Sequence, residues 1–133
     1  MSWRPFPAVT HVVGQEAIDR YAELSGDFNP LHVDPQYAAA GPFGTVVAHG
    51  PVGLQAIFEA LTTWLGTDRL PPGVMVDVSY RGPVRVGDHV TCNAAEPVDH
   101  AGAIAVQMTC VNQAGAEILQ ALAVVPRELV PRA

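Results

Sequence analysis

The chain has 133 residues, 49% of them hydrophobic, and a formal net charge of −6 at pH 7. These values are typical of one globular domain, here residues 1–133, and not of a disordered chain. The seven basic residues are all arginines and are scattered along the chain, so we expect no nucleic-acid partner. No apolar run approaches the roughly 20 residues of a membrane span, and the first residues lack the apolar core of a signal peptide. We therefore expect a cytoplasmic protein without a membrane partner.

The first half of the chain predicts a short strand over residues 11–13 and then three helices. Apolar positions recur at helical spacing over residues 15–24, which predicts a helix with one buried face. An Asp-Pro pair supplies an N-cap and a first-turn proline for a short helix over residues 34–40. A longer helix is predicted over residues 51–65. Its apolar side chains lie on nearly every face, so we expect other structure to enclose it.

The second half of the chain predicts strands. Four segments have strand-like composition and are separated by turn signals rich in glycine, namely residues 74–80, 89–95, 103–112 and 117–125. Short connections between successive strands predict an antiparallel meander. A long buried helix followed by such a meander predicts an α+β fold in which a curved sheet wraps around the helix.

Residues 26–32 are the most informative segment, because they place an acid, an amide and an imidazole within six residues. Asp27 can hold a proton, Asn29 can donate and accept hydrogen bonds, and His32 titrates near neutral pH. Pro30 lacks a backbone N–H and disfavours the α conformation for the residue before it. We therefore expect these side chains on a bent, non-helical segment that directs them to one point.

A second polar element lies where the long helix begins. Its first N–H groups have no partner within the helix and lie at the positive end of the helix dipole, so they suit a carbonyl oxygen. Pro51 has no N–H to donate, which leaves Gly50, Val52 and Gly53 as the available donors.

Residues 21–32, followed by the Ala-His-Gly run at 48–50, resemble the (R)-specific enoyl-CoA hydratases, also called MaoC-like dehydratases. The resemblance covers essentially the whole chain. It implies a single hotdog fold, in which an antiparallel β-sheet wraps around a long central α-helix. It also implies reversible addition of water to a trans-2-enoyl thioester, which gives an (R)-3-hydroxyacyl thioester. Coenzyme A or phosphopantetheine then belongs to the substrate, and we expect no cofactor.

The resemblance also assigns roles to residues of the two segments. Asp27 and His32 are the catalytic pair, which deprotonates one water and returns a proton to the α-carbon. Asn29 orients the site, and the Gly50 N–H polarises the thioester carbonyl. His49 is expected to be structural, since the resemblance uses its neighbour's backbone.

Other interpretations of these polar residues stay open. Asp27 and Asn29 could form only an Asx turn between two helices, with His32 a structural histidine. A metal site from His32, Asp34 and His49 is conceivable, but no cysteine or third histidine lies nearby, so we expect none. A calcium loop fits poorly, because a leucine occupies its third ligand position.

Two positions differ from many family members. Pro51 stands where many have methionine, and Phe58 stands where several bacterial members have serine. The bulky Phe58 side chain is expected to shorten the acyl site.

Two other functions remain possible. A hotdog thioesterase would use a carboxylate on the central helix, where Glu59 is the only acid. A non-catalytic acyl-binding partner of a hetero-oligomeric hydratase would be expected to lack Asp27 or His32, and both are present. Because a lone hotdog unit leaves a sheet edge uncovered, we expect a homodimer, with a heterodimer as the alternative.

The remaining polar and sulfur-containing residues are expected to be structural or solvent-exposed. The two cysteines are predicted to be buried free thiols. Three histidines, and two arginines near a turn, are predicted to face solvent. These residues are Cys92, Cys110, His11, His89, His100, Arg81 and Arg85. The arginines could also meet carrier phosphates.

Overall fold

A computed structural model describes residues 3–133. In chain order the elements are β1 (Val9–Val12), α1 (Gln15–Ser25), α2 (Pro30–Val33), α3 (Pro35–Ala39), a 3-10 segment (Gly50–Leu54), α4 (Gln55–Leu65), β2 (Met75–Tyr80), β3 (His89–Ala94), β4 (Val98–His100), β5 (Ala103–Val111), β6 (Glu117–Pro126) and a final 3-10 turn (Arg127–Leu129). Among these residues, no helix has the length and apolar character needed to cross a membrane.

The strands form one antiparallel sheet in the order β1-β3-β5-β6-β2, with β4 paired to β5. Helix α4 packs against this sheet. Alternate residues of β3, β5 and β6 are fully buried, as expected for strands with one face on a core. The buried face of α4 consists of Ala56, Ile57, Ala60, Leu61, Trp64 and Leu65. The sheet with its central helix confirms the predicted α+β hotdog architecture.

The predicted meander is wrong at one connection. Strand β2 pairs with β6 and not with its successor β3, so the two lie at different positions in the sheet. The cause is the connecting segment at 81–88, which is too long for a tight hairpin. It first pairs with the start of β6 through the N–H of Arg81 and then with the loop before α4 through the N–H of Val86. Strand β4 was not predicted, since it lies in the connection between the segments 89–95 and 103–112 that were predicted as strands.

The central helix also differs from its prediction at both its start and its surface. Its first turn is a 3-10 segment, and the α-helix begins only at Gln55. One side of α4 is exposed and not enclosed, because Gln55, Glu59 and Thr63 recur at helical spacing on that side. Phe58 lies on the same side with 39% of its surface exposed.

The cysteine prediction is confirmed. Cys92 and Cys110 are free, fully buried and directly opposite each other on β3 and β5. A hydrogen bond with Cys110 and burial raise the pKa of the Cys92 thiol well above its ordinary range. Since the thiolate is the nucleophile, Cys92 is a core residue and not a candidate for catalysis.

We predict that Ile57→Ala lowers the free energy of unfolding by about 2–5 kcal/mol, because it deletes a fully buried side chain between α4 and the sheet. Thr63→Ala, on the exposed side of the same helix, is the control and should change stability by under about 0.5 kcal/mol. Urea denaturation measures both. Equal losses for the two variants would contradict the described packing of α4.

Candidate active site

The bend that carries Asp27 is made by a glycine. Helix α1 ends at Gly26, whose φ of 77° lies in the left-handed region that glycine adopts without steric cost. The Gly26 N–H donates to the Ala22 carbonyl at 2.8 Å. Directly after it, one carboxylate oxygen of Asp27 accepts a hydrogen bond from the Asn29 N–H at 3.1 Å. The other carboxylate oxygen remains free to face His32.

Asn29 caps the next element. Its side-chain oxygen accepts a hydrogen bond from the Leu31 N–H at 3.0 Å, and Pro30 takes the first helical position. The resulting helix α2 is a single turn that contains His32. The expectation of a wholly non-helical segment is therefore wrong for His32, since Asn29 and Pro30 together start a helix there. The Asx turns considered above are present, and they hold the acid and the imidazole in position.

His32 is oriented by a backbone carbonyl. Its Nδ1 lies 2.7 Å from the Val47 carbonyl oxygen, which can only accept, so Nδ1 carries the proton. In the neutral ring, Nε2 then carries the lone pair. This Nε2 lies 3.8 Å from a carboxylate oxygen of Asp27.

The gap between Asp27 and His32 lies between two hydrogen-bond acceptors. Both facing atoms are hydrogen-bond acceptors when His32 is neutral, and 3.8 Å is too long for a direct hydrogen bond. One water can donate a hydrogen bond to each acceptor, which leaves its oxygen lone pairs free. The pair therefore suits the binding and deprotonation of a water molecule.

His49 joins the two halves of the site. Its Nε2 donates to the backbone carbonyl of Asp27 at 2.9 Å, and its ring stacks on His32 at 3.9 Å between centroids. The ring of Tyr21 also lies beside the ring of His49, with 4.9 Å between their centroids. His49 is only 4% exposed, and its Nδ1 has no hydrogen-bond partner in the part of the chain described. His49 therefore makes structural contacts with both Asp27 and His32, while its assignment as a substrate-orienting residue stays a prediction.

The three residues considered for a metal site do not lie together, because Asp34 is apart from His32 and His49. The carboxylate of Asp34 caps α3 through the N–H groups of Gln36 and Tyr37. Asp27, His32 and His49 are the group whose potential ligand atoms lie within 4.8 Å of one another. One ring nitrogen of each histidine is already hydrogen-bonded to a carbonyl. The absence of a metal cofactor stays a prediction, which activity in the presence of a chelator would test.

The donors at the start of the long helix are fewer than expected. The Val52 N–H donates to the His49 carbonyl at 3.0 Å and is not free. Gly53 is buried, and a Cβ placed on it would lie 3.3 Å from Leu119 and Val84. Gly50 is exposed, and its N–H has no acceptor among residues 3–133. The Gly50 N–H is therefore the donor that remains for a substrate oxygen.

Two cavities adjoin these residues. A groove of about 960 Å³ runs along the exposed side of α4, and its lining includes Tyr21, Leu24, Phe58 and Leu70. A smaller cavity of about 300 Å³ is lined by Gly50 and its neighbours, among them Leu31, Phe43, His49 and Tyr80. Tyr21 lines the groove and its ring lies beside the ring of His49, so the groove and the polar site share one neighbouring side chain.

The groove also contains an unexpected contact between a histidine and a carboxylate. His11 is half-buried and contacts the carboxylate of Glu59, so its predicted exposure to solvent is wrong. The reason is that β1 packs beside α4. His89 and His100 are exposed as predicted.

Two aromatic residues at the site could not be predicted from the sequence. Tyr21 was assigned only to the buried face of α1, and Tyr80 only to a strand. Their contacts with His49 and Gly50 depend on the tertiary fold. The two arginines make protein contacts, Arg81 with the Gln120 side chain and Arg85 with the Phe43 carbonyl.

Comparison with known proteins supports a family assignment. The family described as "MaoC like domain" matches residues 4–118. The 3-hydroxybutyryl-CoA dehydratase of Methylorubrum extorquens is 36% identical over 117 residues, which cover 81% of this chain and 70% of that protein. The (R)-specific enoyl-CoA hydratase of Aeromonas caviae is 38% identical over 81 residues, which cover 59% of this chain and 58% of that protein.

The solved structures include a similar fold. The (R)-hydratase of A. caviae, described as involved in PHA biosynthesis, superposes with a TM-score of 0.78. The match covers 96% of each chain at 26% identity. This likeness agrees with the hotdog architecture described above.

We predict opposite tautomers for the two stacked histidines, because the carbonyls of Val47 and Asp27 fix different ring nitrogens. Long-range ¹H–¹⁵N NMR spectra, recorded at a pH where the imidazoles are neutral, should show the proton on Nδ1 of His32 and on Nε2 of His49. The exposed His100 serves as the reference for an unconstrained ring. The same tautomer for both rings would contradict the hydrogen bonds described here.

Proposed function

This chain belongs to the MaoC-like domain family, and on that premise we propose that it is a hydro-lyase. It adds water reversibly to trans-2-enoyl thioesters and gives (R)-3-hydroxyacyl thioesters. The observation that carries this proposal is the 3.8 Å gap between the Asp27 carboxylate and His32 Nε2. Relatives named as hydratases and dehydratases support the same reaction class.

The first step is attack by water on the substrate. The water donates one hydrogen bond each to Asp27 and His32, and its oxygen attacks C3 of the enoyl group. One proton of the water passes to the pair. The electrons of the C2–C3 double bond move to the thioester carbonyl and form an enolate.

The second step completes the addition. The enolate oxygen accepts a hydrogen bond from the Gly50 N–H, which stabilises the negative charge as it develops. The Asp27–His32 pair then returns a proton to C2, and the pair regains its starting protonation state. The reverse sequence removes water from the (R)-3-hydroxyacyl thioester. Each step uses side chains and backbone groups of the described site and requires no cofactor.

The acyl group is proposed to occupy the groove beside α4. Leu24, Phe58 and Leu70 give this groove apolar walls, and Tyr21 connects it with the polar site. Phe58 is half-exposed within the groove and reduces the length available to an acyl chain. We therefore expect short enoyl thioesters to be the better substrates.

The carrier and the assembly are also proposals. Coenzyme A is the first carrier to test, because two relatives with CoA in their names are 36% and 38% identical. The free edges of β1 and β2 support a homodimer, and a heterodimer is the alternative outcome of a solution-mass measurement. The single-domain organisation and the cytoplasmic location stay predictions from the sequence.

We predict that Asp27→Asn and His32→Ala each lower kcat by roughly 100-fold or more, because general acid–base catalysis contributes about 10²- to 10⁴-fold. The assay follows loss of the conjugated thioester absorbance of trans-2-enoyl-CoA. Asp77→Asn and His100→Ala, at exposed positions on the sheet, are the matched controls and should retain activity. Full activity in both site variants would rule out the proposed pair.

The same assay separates hydration from thioester hydrolysis when release of free thiol is measured in parallel. Glu59 is the only acid on α4 and contacts His11. Free thiol release that disappears in Glu59→Gln and persists in Asp27→Asn would establish the thioesterase alternative. Binding of an enoyl thioester without any turnover would favour the non-catalytic alternative.

We predict that Phe58→Ala increases kcat/KM for eight-carbon relative to four-carbon enoyl-CoA by roughly tenfold, because it lengthens the apolar groove by the space of a ring. Leu122→Ala, an apolar exposed position outside the groove, should leave this ratio unchanged. Kinetics on a chain-length series measure the ratio. An unchanged ratio in Phe58→Ala would place the acyl chain elsewhere.

A further inference from the structure

The neighbouring Tyr80 side chain, and not the backbone conformation, restricts position 50 to a small residue. It is absent from the glycines with positive φ, so an L-residue could adopt its backbone angles. A Cβ built on Gly50 would lie 3.0 Å from Cε1, 3.1 Å from Cζ and 3.3 Å from Oη of Tyr80. The end of the Tyr80 side chain therefore occupies the space beside the residue proposed to bind the substrate oxygen.

Tyr80 lies in the second half of the chain, far in sequence from Gly50. It is the last residue of the edge strand β2 and pairs with Leu119 of β6. The side chain is 55% exposed, and its hydroxyl makes no hydrogen bond within residues 3–133. A tyrosine hydroxyl with a free O–H is a neutral donor available to a ligand.

The cavity beside Gly50 offers few other donors. Among the described residues that line it, only Tyr80 and His49 have side chains with an O–H or N–H group. The Nε2–H of His49 is already donated to the Asp27 carbonyl. Of the backbone N–H groups that line it, those of Val47, Ala48 and Gly82 already donate to backbone carbonyls. Beside the Gly50 N–H, the Tyr80 hydroxyl is therefore the side-chain donor left for a substrate oxygen.

We propose that the Tyr80 hydroxyl is the second hydrogen-bond donor to the thioester carbonyl oxygen, beside the Gly50 N–H. This inference rests on the proposed hydratase function. As the carbonyl becomes an enolate, its oxygen gains negative charge, and two donors stabilise that charge more than one. No proton transfer from Tyr80 is required, because the hydroxyl donates a hydrogen bond throughout the reaction. Tyr80 would therefore act on kcat more than on substrate binding.

Tyr80→Phe tests the proposal, since it removes only the hydroxyl oxygen. We expect kcat for trans-2-enoyl-CoA to fall about 10- to 100-fold, while KM changes less than about threefold. Tyr37→Phe is the matched control, because Tyr37 is similarly exposed at 56% and does not line the cavity at Gly50. Binding of butyryl-CoA, which lacks the reacting double bond, confirms that Tyr80→Phe remains folded and binds ligand.

A second variant tests whether Gly50 and Tyr80 act together. In Gly50→Ala the new methyl group displaces the Tyr80 ring, so we expect Tyr80→Phe to cost less than threefold in that background. Independent, multiplicative losses would overturn the shared role. Wild-type activity in Tyr80→Phe would also overturn it and leave the proposed function intact. Failure of the wild-type protein to hydrate any enoyl thioester would instead overturn the proposed function itself.

Discussion

The hydrogen bond between His32 Nδ1 and the Val47 carbonyl is the interaction on which the candidate site depends. It fixes the ring and places the lone pair of the neutral imidazole on the side of Asp27. With the other tautomer, Nε2 would donate to the carboxylate, and the gap would no longer present two acceptors to one water. A single backbone carbonyl therefore determines whether this pair can receive a proton from water.

The fold brings that carbonyl to the motif through a loop that has no regular secondary structure of its own. The loop after α3 pairs with the segment before β3, through Val47 and Arg85 and through the Ala48 N–H and the Val84 carbonyl. It then ends at His49, which bonds back to Asp27. The acid, the imidazole and the start of the long helix are thereby held by one network. The central helix contributes its first turn to this network and its exposed side to the groove.

The local parts of this arrangement could be predicted from sequence, because they follow from short-range chemistry. Gly26, Asn29 and Pro30 have strong conformational preferences, and they predicted the bend and the side chains it carries. The burial of the long helix followed from its apolar composition, although its exposed side was not predicted. The pairing of β2 with β6, the contact of His11 with Glu59, and the aromatic contacts of Tyr21 and Tyr80 depend on tertiary packing. No periodicity or motif in the chain encodes those distant contacts, so the sequence did not predict them.

The central claim is that the protein adds water across the double bond of an enoyl thioester and leaves the thioester bond intact. Incubation of the wild-type protein with trans-2-butenoyl-CoA in D₂O, followed by ¹H NMR, tests it most directly. The account predicts (R)-3-hydroxybutyryl-CoA with one deuterium at C2 and with the thioester bond intact. Release of free coenzyme A together with the unsaturated acid, or a substrate spectrum that does not change, would contradict it.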